Sequence, residues 1–184
     1  MLNYNSPIDE IKNHSDLILS EIEPTIKINL RSKKKEVLTK VGKILSIIPP
    51  SEPNTSSSSD ILNILWLSPD EWMIYSNQTE HNNYKIEDEL YNEISKFNYG
   101  SVTNVSEHWV MLNIKGDKVF ELISASCHFN FDNFKKNKGS VVQTLVNHID
   151  VIIHNKDTNN LNLFVRRSFS NHLWSWMNDS ARFI

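Results

Sequence analysis

Thr25-Ile26-Lys27-Ile28-Asn29-Leu30-Arg31-Ser32-Lys33-Lys34-Lys35-Glu36-Val37-Leu38 changes its hydrophobic period part-way along, and the same change recurs once later in the chain. Ile26, Ile28 and Leu30 alternate with Lys27 and Asn29, which predicts a half-buried strand. Val37, Val41, Ile44, Leu45 and Ile48 then follow helical spacing, with Ser32 as the expected cap and Pro49-Pro50 as the stop. The second instance is Val110, Leu112 and Ile114, followed by Asp117 opening a helix with Val119, Leu122 and Ile123.

Ile61–Leu67 is apolar except for Asn63 and suits a central strand buried on both faces. A short link, Ser68-Pro69-Asp70-Glu71, joins it to a strand over Trp72–Tyr75, so the pair reads as a hairpin. Ile86, Leu90, Ile94 and Phe97 mark a second amphipathic helix, and Ser101–Val105 a fourth strand. In the later half, strands are expected at Val141–Val146, Ile149–Ile153 and Leu161–Val165, before a last helix capped by Ser168. Each half thus runs strand, helix, strands, helix. The expected fold is α+β, with two ferredoxin-like halves at about 24–106 and 107–184 sharing one layered core. Residues 1–23 are weakly patterned, with Ile11, Leu17, Ile18 and Ile22, and read as an N-terminal arm along the domain or a partner. Residues 49–60, with Pro53 and four consecutive serines, read as a flexible surface loop.

Composition narrows the function classes. A hydrophobic fraction of 39% over 184 residues supports one domain of ordinary size. A net charge of −3 argues against nucleic acid as a partner, and Lys33-Lys34-Lys35 reads as a solvated helix start. Met1–Ser20 lacks the pattern of a signal peptide, and no apolar run approaches the ~20 residues that span a bilayer, so a cytoplasmic protein is expected. The four glycines form no GxGxxG, P-loop or nucleophile elbow.

The titratable clusters are weak candidates. Ser106, Glu107 and His108 are near neighbours, whereas triads are assembled from distant segments. Cys127, the only cysteine, stands beside His128, and adjacent strand residues face opposite ways. His148 and His154 lie roughly 20 Å apart along an extended strand, too far to share one metal ion with Asp150. No catalytic, cofactor-binding or metal residue is therefore assigned. Alternation separates Arg166 and Arg167, and a guanidinium suits bidentate contact with carboxylate or phosphate, so one of them is expected to meet a partner subunit or, equally, to form a strand-end ion pair inside the domain. On the last helix, Phe169, Leu173, Trp176 and Met177 share one face and are expected in the core. Trp174 is rotated about 100° from Leu173. It is expected at the core edge, under the N-terminal arm, or as an interface anchor.

Val165-Arg166-Arg167-Ser168-Phe169 followed by Leu173-Trp174-Ser175-Trp176 resembles the ending of sarcosine oxidase gamma subunits. Leu65-Trp66-Leu67-Ser68-Pro69-Asp70-Glu71-Trp72 is similar to that family's Leu-Trp-Leu-Gly-Pro-Asp-Glu-Trp segment, and Val102–Ser106 to its Thr-Asp-Val-Ser strand end. Cys127, Phe129, Phe131 and Phe134 stand where the family has Cys-Pro-Leu-Asp-Leu before a phenylalanine, and Gly139-Ser140 with Thr144-Leu145 also fits. The resemblance runs in consistent order from about Thr25 to the end. This chain departs from it at Ser68, at His128, and in the loop Ser51–Asp60.

The resemblance implies a fold similar to the folate-binding aminomethyltransferase (glycine cleavage T-protein-like) domain. It implies a non-catalytic structural subunit of a heterotetramer with alpha, beta and delta chains, the alpha chain being the expected contact. That complex oxidatively demethylates sarcosine to glycine with tetrahydrofolate-linked one-carbon transfer. FAD, FMN, NAD, zinc and tetrahydrofolate are expected on the other subunits and none on this chain. Two alternatives stand beside this. One is a stand-alone folate-binding or aminomethyltransferase-like protein, although Ala125-Ser126-Cys127-His128-Phe129-Asn130 lacks the Lys-Gly-Cys-x-x-Gly-Gln-Glu motif of folate-dependent repair relatives. The other is a regulatory domain binding a small acid through Arg166 or Arg167.

Overall fold

The change of period at Thr25–Leu38 is realised as a strand over Lys27–Ser32 and a helix over Lys35–Leu45. A computed structural model of the chain describes residues 6–8, 10–77 and 84–184. In chain order the first strands are β1 (Ile11–His14), β2 (Leu17–Glu21) and β3 (Lys27–Ser32), followed by helix α1 (Lys35–Leu45). Then come β4 (Ser56–Ser58), β5 (Leu62–Ser68), β6 (Glu71–Ser76), α2 (Tyr84–Ile94) and β7 (Gly100–Asn104). The remainder is β8 (Trp109–Lys115), α3 (Val119–Ser124), β9 (Val141–Val146), β10 (Ile149–Asp157), β11 (Asn160–Arg166) and α4 (Arg167–Ser180). The chain divides into two compact units, one formed by Thr25–Ser106 and the other by Met1–Pro24 with Glu107–Ile184.

In the Thr25–Ser106 unit the sheet order is β4-β5-β6-β3-β7, with every neighbouring pair antiparallel. With α1 and α2 this is a ferredoxin-like βαββαβ arrangement bearing one added edge strand, β4. Ile28, Leu30, Ile64 and Ile74 of the sheet pack with Val37 and Val41 of α1 and Leu90 and Ile94 of α2. Ile64 and Leu65 point to opposite faces of β5 and are both fully buried, which accounts for an apolar run broken only by Asn63. Three expectations change here. The serine run is not a flexible loop but forms β4, in which Ser56 pairs with Leu65 and the Ser58 hydroxyl donates to Asn63 Oδ1 at 2.8 Å. Helix α1 stops at Leu45, because Ser46 adopts φ 56°, so Ile48 leaves the apolar stripe. Ser32 sits at the end of β3, and its hydroxyl accepts the Lys34 N–H at 3.0 Å rather than capping α1.

The second unit has sheet order β1-β2-β8-β11-β10-β9, again antiparallel throughout. Its strands β9, β10, β11, β8 and β2 occupy the sheet positions that β4, β5, β6, β3 and β7 hold in the first. The fourth ferredoxin-like strand therefore comes from the N-terminus. Residues 11–21 are a hairpin added to the sheet, not an arm outside it. Leu17 and Leu19 join the core, while Ile11 and Ile18 remain exposed on other faces. The β9–β10 turn, Asn147-His148, has φ 48° and 63° at its two residues, the signature of a type I′ hairpin.

Helix α4 starts at Arg167, one residue before the expected cap Ser168, and the Arg167 N–H is satisfied by the His108 carbonyl at 2.9 Å. Its buried face is Ser170, Leu173, Trp174, Met177 and Asn178. Phe169, expected in the core, is 49% exposed, because the stripe is rotated toward Trp174.

Gly116 ends β8 at φ +129°, and a Cβ there would lie 2.0 Å from the Asp16 carbonyl oxygen in the β1–β2 turn. Both the backbone conformation and the close approach exclude a side chain. Gly116→Ala is expected to destabilise the chain by about 2 kcal/mol or more in urea unfolding; an unchanged midpoint would show that this junction does not hold the hairpin to β8.

Candidate functional site

The end of β11 and the start of α4 carry the two arginines. Arg166 closes β11 opposite Trp109 of β8. Val165 and Val110 face the core, so alternation sends Arg166 and Trp109 together to the opposite face. Arg166 is exposed. Arg167 is drawn into the helix start and is half-buried, its guanidinium 3.8 Å from Glu107 Oε2. Such an exposed, long pair contributes about 0–1 kcal/mol. Trp174 is a core residue: it is 7% exposed and packs in the cluster that includes Ile8 and Leu173. The N-terminal residues over it are tied to β2, where Glu21 Oε2 accepts the Ile8 N–H at 3.0 Å. Of the three residues expected to meet a partner, Arg166 alone presents an exposed side chain; Trp174 is committed to its own core.

The other candidate groups are engaged structurally. The Ser106 hydroxyl accepts the Lys27 N–H at 2.9 Å and donates to the Lys27 carbonyl at 3.4 Å, fastening the end of the β7 segment to the start of β3. Glu107 faces Arg167, and the His108 ring meets Trp109 edge-on at 5.1 Å. Cys127 is buried in the core with its sulfur 3.5 Å from the Thr144 hydroxyl, while His128 is exposed. His148 lies in the β9–β10 turn and His154 inside β10, so they share no strand face. Among the described residues, no three His, Cys, Asp or Glu side chains are grouped to hold a metal ion, and no helix is long and apolar enough to cross a membrane.

The model of the "Sarcosine oxidase, gamma subunit family" matches residues 41–182. The chain belongs to the sarcosine oxidase gamma subunit family. Its fold is similar to a chain of heterotetrameric sarcosine oxidase from Corynebacterium sp. U-96 in complex with pyrrole 2-carboxylate. That likeness has a TM-score of 0.83 at 18% identity, covering 94% of this chain and 87% of that one. It is also similar to glycine cleavage system aminomethyltransferase T from Bartonella henselae, with a TM-score of 0.60 at 13% identity, covering 86% of this chain and 44% of that one. No curated protein matches by sequence.

The gamma-type segments have local reasons for their shape. Ser68-Pro69-Asp70 is the β5–β6 turn, where the Ser68 hydroxyl, with Arg31 adding to it, holds the Asp70 carboxyl below the usual carboxylate range. The Asp70 carbonyl in turn accepts the Ser32 N–H at 3.0 Å. Phe129, Phe131 and Phe134 form edge-to-face pairs with centroids 4.9–6.0 Å apart beside Cys127. Ile48, expected on the α1 stripe, is exposed; Pro49 is the signal in the sequence for this, since the residue before a proline disfavours helical conformation.

Burial pushes the His154 imidazole down to about 3, with the nearby Lys156 acting in the same direction. The unfolded chain therefore takes up this proton first. The stability it represents is complete above pH ~6.5 and is lost as pH falls toward 3. Carboxylates titrate mainly below pH ~5, leaving pH 6.5 to 5 as the window for this group. The urea midpoint is expected to fall across that window by up to ~1.4 kcal/mol per pH unit in unfolding free energy, with a flatter profile in His154→Gln. An unaltered slope in the variant would remove His154 as its source.

Proposed function

We propose that this chain is a non-catalytic assembly subunit of a heterotetrameric sarcosine oxidase. The family match over residues 41–182 carries the reading. The likeness to a chain of the Corynebacterium enzyme over 94% of this chain supports it. The whole complex would oxidise sarcosine to glycine and pass the one-carbon unit to tetrahydrofolate. Its alpha, beta and delta chains would hold FAD, FMN, NAD, zinc and folate, and the alpha chain would be the main contact. The hydroxyl of Ser106 and the thiol of Cys127 serve packing and strand closure, which agrees with a chain whose contribution is shape. Arg166, exposed beside Trp109, is the member of the expected interface set that suits a carboxylate on a partner.

The isolated chain, folded as judged by a cooperative melt, is expected to bind neither FAD nor tetrahydrofolate in equilibrium titration. Micromolar affinity for tetrahydrofolate would contradict the reading and favour a stand-alone folate-binding protein.

A further inference from the structure

Ile48, in the segment between α1 and β4, is 83% exposed, although Ile47 before it is only 8% exposed and Pro49 and Pro50 after it are buried. The backbone holds it there. Ser46 turns the chain out of α1 through the left-handed region, and the two prolines fix their own φ angles. The Pro50 carbonyl accepts the Trp72 indole N–H at 2.9 Å, pinning the segment to the buried face of β6. Turning Ile48 inward would break that bond and expose its buried neighbours. Beside it, Leu38, Gly42 and Pro49 line a groove of about 580 Å³. A Cβ on Gly42 would meet the Ile47 carbonyl oxygen at 3.5 Å and Pro49 Cδ at 3.6 Å, so the absent side chain leaves the floor open.

Charge selects the occupant. Lys35 and Lys43 border the groove eight residues apart on α1, about 12 Å along its axis. Neither has an ion-pair partner among the described residues, whereas Lys40 on the same helix pairs with Glu93 at 2.6 Å. An apolar slot between two uncompensated ammonium groups fits an apolar side chain with acidic neighbours. A second copy of this chain, docked by the same face, would oppose lysine to lysine.

We propose that this groove docks a segment of the partner oxidase subunit that presents a bulky apolar side chain flanked by carboxylates. The proposal rests on the subunit reading and names the surface through which the chain is held. Ile48 is the preorganised anchor, and Lys35 and Lys43 set register and salt dependence.

The test uses the oxidase complex purified from the cell that makes this chain, with the large flavoprotein identified by mass. Deuterium uptake over residues 38–50 is compared between complex and free chain, and Ile48→Asp and Lys35→Glu/Lys43→Glu are measured for affinity and for melting temperature. Protection over 38–50 in the complex is expected. Affinity should weaken roughly ten- to hundredfold in Ile48→Asp, with an unchanged melt because the side chain is exposed. The double reversal should weaken binding and flatten its salt dependence. If the wild-type chain binds the flavoprotein but 38–50 exchanges as in the free chain, or Ile48→Asp binds like wild type, the groove proposal is overturned and the subunit reading stands. Protection of 38–50 in the free chain that rises with concentration would assign the groove to a second copy and overturn it too. A wild-type chain that binds no flavoprotein overturns both.

Discussion

The antiparallel pairing of β2 with β8 is the constraint on which the second unit depends. Without β2, strand β8 would offer an unpaired edge, and the Glu107–Ile184 segment would lack its fourth ferredoxin-like strand. The pairing brings Leu17 and Leu19 into the core beside Leu112 and Ile114, and it requires Gly116 where the β1–β2 turn passes close by. It also makes the Thr25–Ser106 unit an insertion in chain order. That unit accommodates this by bringing its own ends together: Lys27 and Ser106 exchange hydrogen bonds, and the Val105 N–H reaches the Lys27 carbonyl at 2.8 Å. An inserted unit with neighbouring ends leaves the pairing of the flanking strands undisturbed.

Much of this was legible because period reports local structure directly. The alternation at Ile26–Leu30 and Val110–Ile114 marks the two strands that stand at equivalent sheet positions, β3 and β8, and the helical spacing behind each gives α1 and α3. What periodicity does not report is pairing. The hairpin of residues 11–21 has too few alternating positions to declare itself, and β2 is a strand because β8 needs a neighbour. β4 is built of serines, whose low apolarity reads as loop although their backbone groups pair normally with β5. The α4 error has another cause. Phe169 lies next to the helix start, where β11 and the His108 carbonyl fix the rotation and turn Trp174 inward.

The candidate site was legible in part. Arg167 settled on the internal alternative, facing Glu107, and Trp174 on the core, which leaves Arg166 exposed. The groove at Ile48 escaped a pattern-based reading because an isoleucine at helical spacing is ordinarily core. Its exposure follows from two local facts, the left-handed Ser46 and the Pro49-Pro50 pair. The Ser106 hydroxyl, which invited a catalytic interpretation, is instead used to fasten strand ends together.

Native mass spectrometry of the affinity-tagged chain, isolated from its own cell extract, tests the central claim most directly. The expected result is a stoichiometric assembly in which this chain accompanies a large flavin-bearing subunit, with the flavin released from that subunit on denaturation. A stable monomer or homodimer free of any flavoprotein would contradict it.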